Sequence, residues 1–302
     1  MPRQKPLGAC RGRSLSGMRR VSVVIPTLNE AERIGGCVRS CSVAGEVEQK
    51  GPGPGSGSGS ESESVEVEVE VEVVVVDGGS TDGTQAAAER ACVRLVEAGF
   101  GRGVVGCRVV EGRTRGRGFQ LRQGVKETEG EAVVLLHGDS ELPPGWAGSV
   151  VRALGRGEWG AFRVAFTGGN DGLGVGAEVV AWAANAVRVG LVGVPYGDHG
   201  MFMRRAALDS VGGVPRQPFL EDLELSLRLR KVAGRPVLAG AGPVRTSGRR
   251  FEALGALRTA ALNQATVLAY LAGVDATTLG EWYRRQMPRP PISASPPAGR
   301  PE

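Results

Sequence analysis

Short apolar runs alternate with amphipathic segments over the first half of the chain. Runs rich in β-branched residues predict buried strands, and they lie at 21–27, 73–76, 104–110 and 132–136. The stretches between them predict helices, at 29–41, at 84–98 and from about 118 to 129. Asn29 is the expected N-cap of the first helix. Because strands and helices alternate, we predict an α/β fold with a parallel sheet and crossover helices.

Beyond residue 157 the pattern changes. The segments EWGAFRVAF (158–166) and HGMFMRR (199–205) predict strands of a second, mixed region. The stretch 221–231 alternates leucine with polar residues, which favours a strand, but it contains no β-branched residue. Because Glu224 and Arg228 lie at i,i+4 spacing, we predict a helix there.

A last amphipathic helix is predicted within 253–274. Its apolar positions recur every three or four residues, at Leu254, Leu257, Ala261, Ala265, Leu268 and Ala272. We expect this stripe to pack on the domain, and docking on a membrane surface is the alternative. No uncharged apolar span reaches about 18 residues, so we expect no transmembrane helix.

A low-complexity segment interrupts the first half of the chain. Residues 51–76 are built from the dipeptides GP, GS, ES and VE, and only the end near 73–76 has the composition of a buried strand. We predict one domain over 21–285 with an insertion at about 45–70, a disordered basic tail over 1–20 and a disordered tail over 286–302. The insertion joins a helix to the next strand, so it should lie opposite the ligand-binding edge of the sheet.

Composition narrows the class of protein. The chain has 302 residues, a net charge of +5 and 48 glycines. Six basic residues and no acid within 1–20 fit a disordered tail or an organelle-targeting segment. Aromatic residues are scarce and none lies in the first 99 positions, which argues against a nucleic-acid partner. Five cysteines without a C-x-x-C pair predict free thiols and a cytoplasmic, reducing environment.

Acidic residues follow two of the predicted strands directly. Asp77 comes after four valines, with glycines at 78, 79 and 83 that let the backbone approach a ligand. Its carboxylate can accept from a uracil N–H or a ribose hydroxyl, and Asp82 can do the same or cap the next helix. Asp139 follows the fourth strand. Because the carboxyl ends of parallel strands share one edge, we expect these loops to converge with Pro26–Glu30.

Four motifs then occur in order: VSVVIPTLNE (21–30), VVVVDGGSTDGT (73–84), HGDS (137–140) and FLEDLELSLRLR (219–230). Together they resemble family 2 glycosyltransferases of the GT-A fold. PYGDHGMFMRR (195–205) and TSGRRFE (246–252) are similar to a small, soluble branch of that family. The resemblance covers about 21–285. It implies a GT-A-type doubly wound, mostly parallel sheet with helices on both faces and a smaller mixed region on the acceptor side.

The resemblance also implies an activity: inverting transfer of a sugar from a nucleotide diphosphate, by expectation UDP, to an acceptor hydroxyl. Asp222 would be the general base, supported by Glu221. Asp139 would hold Mg²⁺ or Mn²⁺, whose other ligands are diphosphate oxygens and water, so a single carboxylate suffices. The nucleotide-sugar site would comprise Pro26, Asn29, Glu30, Asp77, Asp82, Arg249 and Arg250.

The chain departs from the family pattern at several positions. His137 replaces the first acid of D-x-D and would be a nitrogen ligand or only a polar strand-end residue. His199 stands where glutamine is commoner and is a candidate for the acceptor side. The basic loop at 111–118 offers Arg115 or Arg117 to phosphates, or is solvated. The acceptor is unknown and a lipid-like one stays open, with peripheral membrane contact as an option. The alternatives are a nucleotide-sugar-binding protein with weak or no transferase activity, and a nucleotidyltransferase.

Overall fold

The computed structural model describes residues 18–43, 69–99, 103–168 and 174–287. The strands are β1 (Arg20–Thr27), β2 (Glu70–Asp77), β3 (Val104–Glu111), β4 (Ala132–Leu135), β5 (Ser140–Glu141), β6 (Trp159–Ala161), β7 (Val164–Thr167), β8 (Met201–Arg204), β9 (Val237–Leu238) and β10 (Val244–Ser247).

Helices connect most of these strands. They are α1 (Ile34–Ser40), α2 (Thr84–Gly99), α3 (Arg117–Lys126), α4 (Trp146–Leu154), α5 (Gly174–Ala183), α6 (Arg205–Ser210), α7 (Glu221–Ala233), α8 (Arg249–Leu254), α9 (Ala256–Leu271) and α10 (Ala276–Gln286). A π-helical segment (Ala184–Val192) extends α5, and a 3-10 turn (Gly197–His199) precedes β8.

The central sheet has seven strands in the order β3-β2-β1-β4-β8-β6-β9. Its first four strands run parallel, and β8 is antiparallel to both of its neighbours. A second sheet of three strands, β5-β10-β7, mixes one antiparallel and one parallel pair. The predicted α/β class, with a mostly parallel sheet and a smaller mixed region, is confirmed.

Each face of the central sheet has its own hydrophobic core. Side chains alternate along β1, so Val23 and Ile25 belong to one core and Val24 belongs to the other. Helices α1, α2 and α4 pack on the first core, and α3, α6 and α7 pack on the second. Because both faces are covered, the strands need continuous apolar runs instead of alternating ones, which is why β1 and β2 are so easily recognised.

The order of the strands creates a cleft at one edge. β1 pairs with β2 on one side and with β4 on the other, so the loops that follow β1 and β4 diverge from a topological switch point. The two loops touch: a Cβ on Gly138 would lie 3.1 Å from Thr27 Oγ1. Glycine at 138 therefore lets the segment that carries Asp139 pack directly on the end of β1.

Most of the predicted elements are found, including the helix over 221–231 and the strands in the second region. The N-cap prediction for Asn29 is wrong, because α1 begins at Ile34 and Asn29 has a left-handed φ of 55°. Its Oδ1 instead accepts the Thr81 N–H at 2.9 Å. Asparagine tolerates this backbone region and can bond a neighbouring loop.

The predicted boundary of the N-terminal tail is also wrong. Met18 is buried, Arg20 begins β1, and the Arg20 N–H donates to Glu131 Oε2 at 2.9 Å. The domain therefore starts by residue 18. The remainder of that tail, residues 288–302 of the other tail and residues 45–68 of the predicted insertion lie outside the described residues.

The prediction of free thiols holds for two cysteines and fails for two others. Cys37 and Cys41 are free and buried in α1 and just after it, as small core residues. Cys92 of α2 and Cys107 of β3 form a disulfide across a Cα–Cα distance of 5.0 Å. Spacing could not reveal this pair, because α2 turns back over β3 and brings together positions 15 residues apart. Cys10 lies outside the described residues.

Helix α9 turns its apolar side away from the domain, opposite to the prediction. Thr259 and Thr266 are each 1% exposed, whereas Leu257 is 88% and Leu268 66% exposed. The prediction that the apolar stripe packs on the domain is therefore wrong, because the inner side of α9 lies against a polar cavity described below. Within the described residues, no helix combines the length and the apolar character needed to span a bilayer.

The residues that flank the repeat segment lie close together, away from the cleft. A Cβ on Gly103 would be 2.7 Å from the Val69 carbonyl oxygen and 3.0 Å from Val43 Cγ2. A short connection could therefore replace the repeats. We expect deletion of 51–64 to change the free energy of unfolding by less than about 1 kcal/mol and to leave activity intact, as measured by denaturant unfolding and donor turnover. A deletion variant that is folded but inactive would contradict this.

Candidate active site

A cavity of about 140 Å³ lies at the carboxyl edge of β4, beneath α9 and the π-helical segment. It collects predicted residues from distant parts of the chain. The acidic and basic residues of its wall are Arg117, His137, Asp139, Arg188, Asp198, Asp222, Arg249 and Arg250. Helix α9 contributes polar groups, Thr259, Asn263 and Thr266. Asp139 and Asp222, the predicted metal ligand and general base, therefore face the same small space.

Most of the predicted nucleotide residues lie in two interlocked loops next to this cavity. The Asp77 carboxylate is 3% exposed, and its Oδ2 accepts the N–H groups of Gly79 and Ser80 at 3.1 and 2.9 Å. Asp77 thus shapes the loop after β2. Pro26 lies in β1, in register with Val76 of β2. These groups do not line the cavity, so any role in binding is exerted at its margin or through the loops.

Asp82 connects the loop after β2 to the segment that follows β1. Its Oδ2 accepts the Ala31 N–H at 3.1 Å, and its Oδ1 accepts the Thr84 N–H at 3.0 Å. Desolvation opposes the charge of Asp82, but the hydrogen bonds from Thr84 and Ala31 outweigh it and hold its pKa below the ordinary value. The Glu30 N–H donates to Thr84 Oγ1 at 2.7 Å and reinforces the junction.

Arg249 joins these loops to the segment after β4. Its Nη1 donates to Glu30 Oε2 at 2.7 Å, and its Nη2 lies 3.2 Å from Asp139 Oδ2. The hydrogen bond to Glu30 raises the pKa of Arg249, with smaller contributions from the charges of Glu30 and Asp139 and with burial acting against them. Arg249 therefore stands as a counterion next to the predicted metal ligand.

The donor set around Asp139 suits a loosely held metal. Among the described residues there is no group of three or more His, Cys, Asp or Glu side chains that could hold an ion. Burial and the charge of Arg117 lower the pKa of His137 to about 4, so its imidazole is neutral and can offer a nitrogen. These residues fit an ion held by one carboxylate and by phosphate oxygens of a ligand, which is a common arrangement for Mg²⁺.

The general-base candidate lies at the start of α7. Leu220 precedes the helix with a left-handed φ of 57°, an unusual conformation for a branched residue that is often found next to functional groups. Asp222 Oδ1 accepts the Leu223 N–H at 2.8 Å, and Oδ2 accepts the Gly197 N–H at 2.8 Å. The carboxylate is thereby fixed in one orientation toward the cavity.

Arg117 neutralises the two carboxylates at this helix end. It forms an ion pair with Glu221 and contacts Asp222 Oδ2 through Nη2 at 3.1 Å. Burial disfavours the Asp222 charge, but Arg117 and the Gly197 N–H outweigh it and lower its pKa. Burial dominates for Glu221 and raises its pKa, although Arg117 acts in the opposite direction. Asp222 is therefore an ionised carboxylate available to accept a proton.

His199 is one step removed from the cavity. The ring is fully buried, and its Nδ1 lies 2.8 Å from Asp198 Oδ1. Asp198 lines the cavity and His199 does not. Desolvation disfavours the Asp198 charge, but His199 and Arg188 more than compensate and lower its pKa. Any effect of His199 on an acceptor would therefore be indirect, through Asp198.

Sequence reasoning missed several residues of the site. Gln120 Nε2 donates to the carbonyl oxygens of Thr27 and Val76 at 2.9 and 2.8 Å, so it joins the ends of β1 and β2. The Arg188 guanidinium lies 3.9 Å from the centre of the Tyr196 ring in the cavity wall. The basic loop at 111–118 was a signal for Arg117, and the structure pairs this arginine with the carboxylates of Glu221 and Asp222.

An open α/β sheet with a cleft at a topological switch point is the arrangement in which such folds bind nucleotide-linked ligands. Residues 22–212 match the family described as Glycosyl transferase family 2. The match spans more than half of the chain, so the chain belongs to this family. No curated protein sequence matches it.

Solved structures share the GT-A fold. The mannosyltransferase PcManGT from Pyrobaculum calidifontis, in complex with GDP-Man and Mn²⁺, aligns with a TM-score of 0.50 and 19% identity, covering 82% of this chain and 61% of that one. TarS 1–349 from S. aureus aligns with a TM-score of 0.48 and 17% identity, covering 86% of this chain and 68% of that one. Glucosyl-3-phosphoglycerate synthase from Mycobacterium tuberculosis, in complex with Mg²⁺ and UDP, aligns with a TM-score of 0.47 and 19% identity, covering 82% of this chain and 81% of that one. This chain thus spans about three-fifths of the mannosyltransferase.

Proposed function

We propose that this chain transfers a sugar from a nucleotide-diphosphate donor, with a UDP-sugar as the first expectation, to an acceptor hydroxyl with inversion at the anomeric carbon. The observation that carries the proposal is the cavity shared by Asp139, Asp222, Arg249 and Arg250. It brings a proton acceptor and an anion-binding group within one small space. Membership of the glycosyltransferase family supplies the reaction class.

Asp222 is the general base in this proposal. The Gly197 N–H and Arg117 Nη2 donate to Oδ2 and the Leu223 N–H donates to Oδ1, so a lone pair on Oδ1 is left for a hydroxyl. As the acceptor oxygen bonds to the anomeric carbon, the bond from that carbon to the diphosphate oxygen breaks, and the acceptor proton moves to Asp222. Attack from the face opposite the leaving group inverts the configuration. Glu221 acts indirectly, by holding Arg117 in place.

The departing diphosphate takes the electron pair of the broken bond. Arg249 and Arg250 line the cavity, and guanidinium groups suit phosphate oxygens. Mg²⁺ or Mn²⁺ bound by Asp139, with His137 as a second ligand, would offset the same charge. The mannosyltransferase of similar fold was solved with GDP-Man and Mn²⁺, so Mn²⁺ is the first metal to test.

The donor's nucleoside is assigned to the loops after β1 and β2. Asp77 and Asp82 hold these loops, and Asn29 and Glu30 connect them to each other and to Arg249. Pro26 is buried near the end of β1 beside them. In this proposal Asp77 reaches the base or ribose when the loop opens its hydrogen bond to Ser80.

The proposal is tested by a thermal-shift screen of nucleotide sugars with and without Mn²⁺, followed by an assay of nucleotide release. A donor that binds the folded state raises the melting temperature, and transfer or hydrolysis releases its nucleotide. Asp139→Ala should lose metal-dependent binding. A protein that binds no nucleotide sugar under any condition would refute the proposal.

One observation favours a second function, that of a nucleotide-sugar-binding protein with weak or no transferase activity. Arg249 already neutralises Asp139, and the described residues contain no group of three or more His, Cys, Asp or Glu side chains that could hold a metal. Binding of UDP with Mn²⁺, combined with no release of nucleotide from any donor, would select this alternative.

A substitution at His137 tests how close the metal lies to the end of β4. We expect His137→Asp to increase the affinity for Mn²⁺ in the presence of UDP by about tenfold, because a hard oxygen ligand is added next to Asp139. Titration calorimetry measures this affinity, with Asp139→Ala as the variant that should lose it. Unchanged affinity would mean that the side chain at 137 does not reach the ion.

A further inference from the structure

The outer surface of α9, α5 and the π-helical segment is unusually apolar. We call it the outer apolar face and define it by Val179, Trp182 and Leu191 on one side and by Leu257, Leu268 and Leu271 on the other. Trp182 is 67%, Leu191 70% and Leu257 88% exposed. Helices α5 and α9 contact one another, so the two sides lie on neighbouring helices. We propose that this face docks on an anionic lipid bilayer.

The polarity of α9 is the first observation that carries the proposal. The helix buries its threonines and turns Leu257, Ala261 and Leu268 outward. A helix on the surface of a protein in water normally has the opposite orientation. An exposed apolar surface of this kind indicates a partner or a membrane.

Basic residues favour an anionic partner, although Glu178 lies next to Val179 on α5 and Arg285 lies 4.0 Å from Glu281. Helix α9 contains no acidic residue, and its one charged residue, Arg258, is exposed next to Leu257. On the adjoining α10, the exposed Trp282 precedes two exposed arginines, with Glu281 as the only acid of that helix. Tryptophan and leucine beside arginine are typical of helices that lie in the membrane interface. Anionic head groups would attract these arginines.

The three longer segments outside the described residues have few of the apolar side chains that would cover this face. Residues 1–17 contain few large apolar side chains, and 288–302 contain only Ile292. Residues 44–68 are rich in glycine and serine and end in alternating valine and glutamate. None of them matches an apolar surface built from leucine, valine and tryptophan.

Docking would place the cavity at the membrane surface. The same helices wall the cavity on their inner sides, through Val180, Ala184 and Asn263. The outer face and the cavity are therefore the two sides of one thin layer of helices. The docking proposal does not depend on the proposed sugar transfer, which is tested separately by donor binding.

The test is flotation of the full chain with vesicles of phosphatidylcholine alone and of phosphatidylcholine and phosphatidylglycerol in equal parts. We expect binding to the anionic vesicles, weakened by salt because the attraction is partly electrostatic. The double substitution Leu257→Gln, Leu268→Gln should lower the partition coefficient at least about tenfold. Val93→Gln is the matched control, since Val93 is 58% exposed on α2, and it should bind as the unmodified chain does.

Any of several results would overturn the proposal. One is no flotation with anionic vesicles, another is equal binding to both kinds of vesicle, and another is a loss in the Val93 variant equal to that in the double variant. The last is a dimer in light scattering that the double substitution converts to a monomer, which would assign the face to a second copy of the chain. Folding of each variant is checked by its melting temperature, and a thermal shift with UDP reports separately on the donor site.

Discussion

Asp222→Asn should reduce sugar transfer by a factor of about 10² to 10⁴, the usual contribution of a general base. The amide has nearly the same shape but cannot take the acceptor proton. Because either the Gly197 N–H or the Leu223 N–H would then face an amide donor, we also expect a loss of about 1–2 kcal/mol in the free energy of unfolding. Single-turnover kinetics and denaturant unfolding measure the two effects separately.

Donor binding should survive this substitution, since Asp222 is assigned to the acceptor proton. Glu224→Gln is the matched control: the same change on the same helix, at a carboxylate that pairs with Arg228 outside the cavity. The lowered pKa of Asp222 further predicts that activity stays level as pH falls toward the ordinary carboxyl range, and declines only below it. Turnover by Asp222→Asn equal to that of the unmodified chain would remove Asp222 from the mechanism.

The central sheet could be predicted from sequence because strands buried on both faces need continuous apolar runs, and few other structures use them. β1 and β2 illustrate this, and the acids that follow strands were placed at the correct edge for the same reason. Which side of α9 faces the protein could not be predicted in this way. Periodicity reveals an apolar stripe, but it does not reveal on which side of the helix the protein lies.

Ion pairs within the site were equally beyond sequence reasoning. Arg249 meets Glu30 across 219 positions and Arg117 meets Glu221 across 104. Such pairs depend on loop geometry and not on local pattern. Asp77 shows the remaining difficulty: the motif correctly marked the loop, but the carboxylate bonds the loop's own N–H groups. Residue type and position alone could not distinguish these contacts from contacts with a ligand.

Arg117→Gln should destabilise the protein more than any other single change in the cavity. It would leave Glu221, which is 1% exposed, and Asp222 without their shared counterion. Breaking a buried ion pair costs about 3–5 kcal/mol, and the lower end applies because 29% of the Arg117 side chain is exposed. A loss of about 3 kcal/mol corresponds to a decrease in melting temperature of roughly 6–12 °C for a domain of this size.

The pH dependence of that loss distinguishes a charge effect from lost packing. Without the guanidinium, the pKa values of both carboxyls rise above those of the unfolded chain, so the folded state binds more protons. Stability of the variant should then increase as pH falls, and its deficit relative to the unmodified chain should shrink on acidification. Arg115→Gln, an exposed arginine of the same loop, is the control. Adding Glu221→Gln to Arg117→Gln should restore part of the stability, because it removes one of the unpaired charges. A deficit that is independent of pH and is not relieved by the second substitution would show that Arg117 contributes through packing.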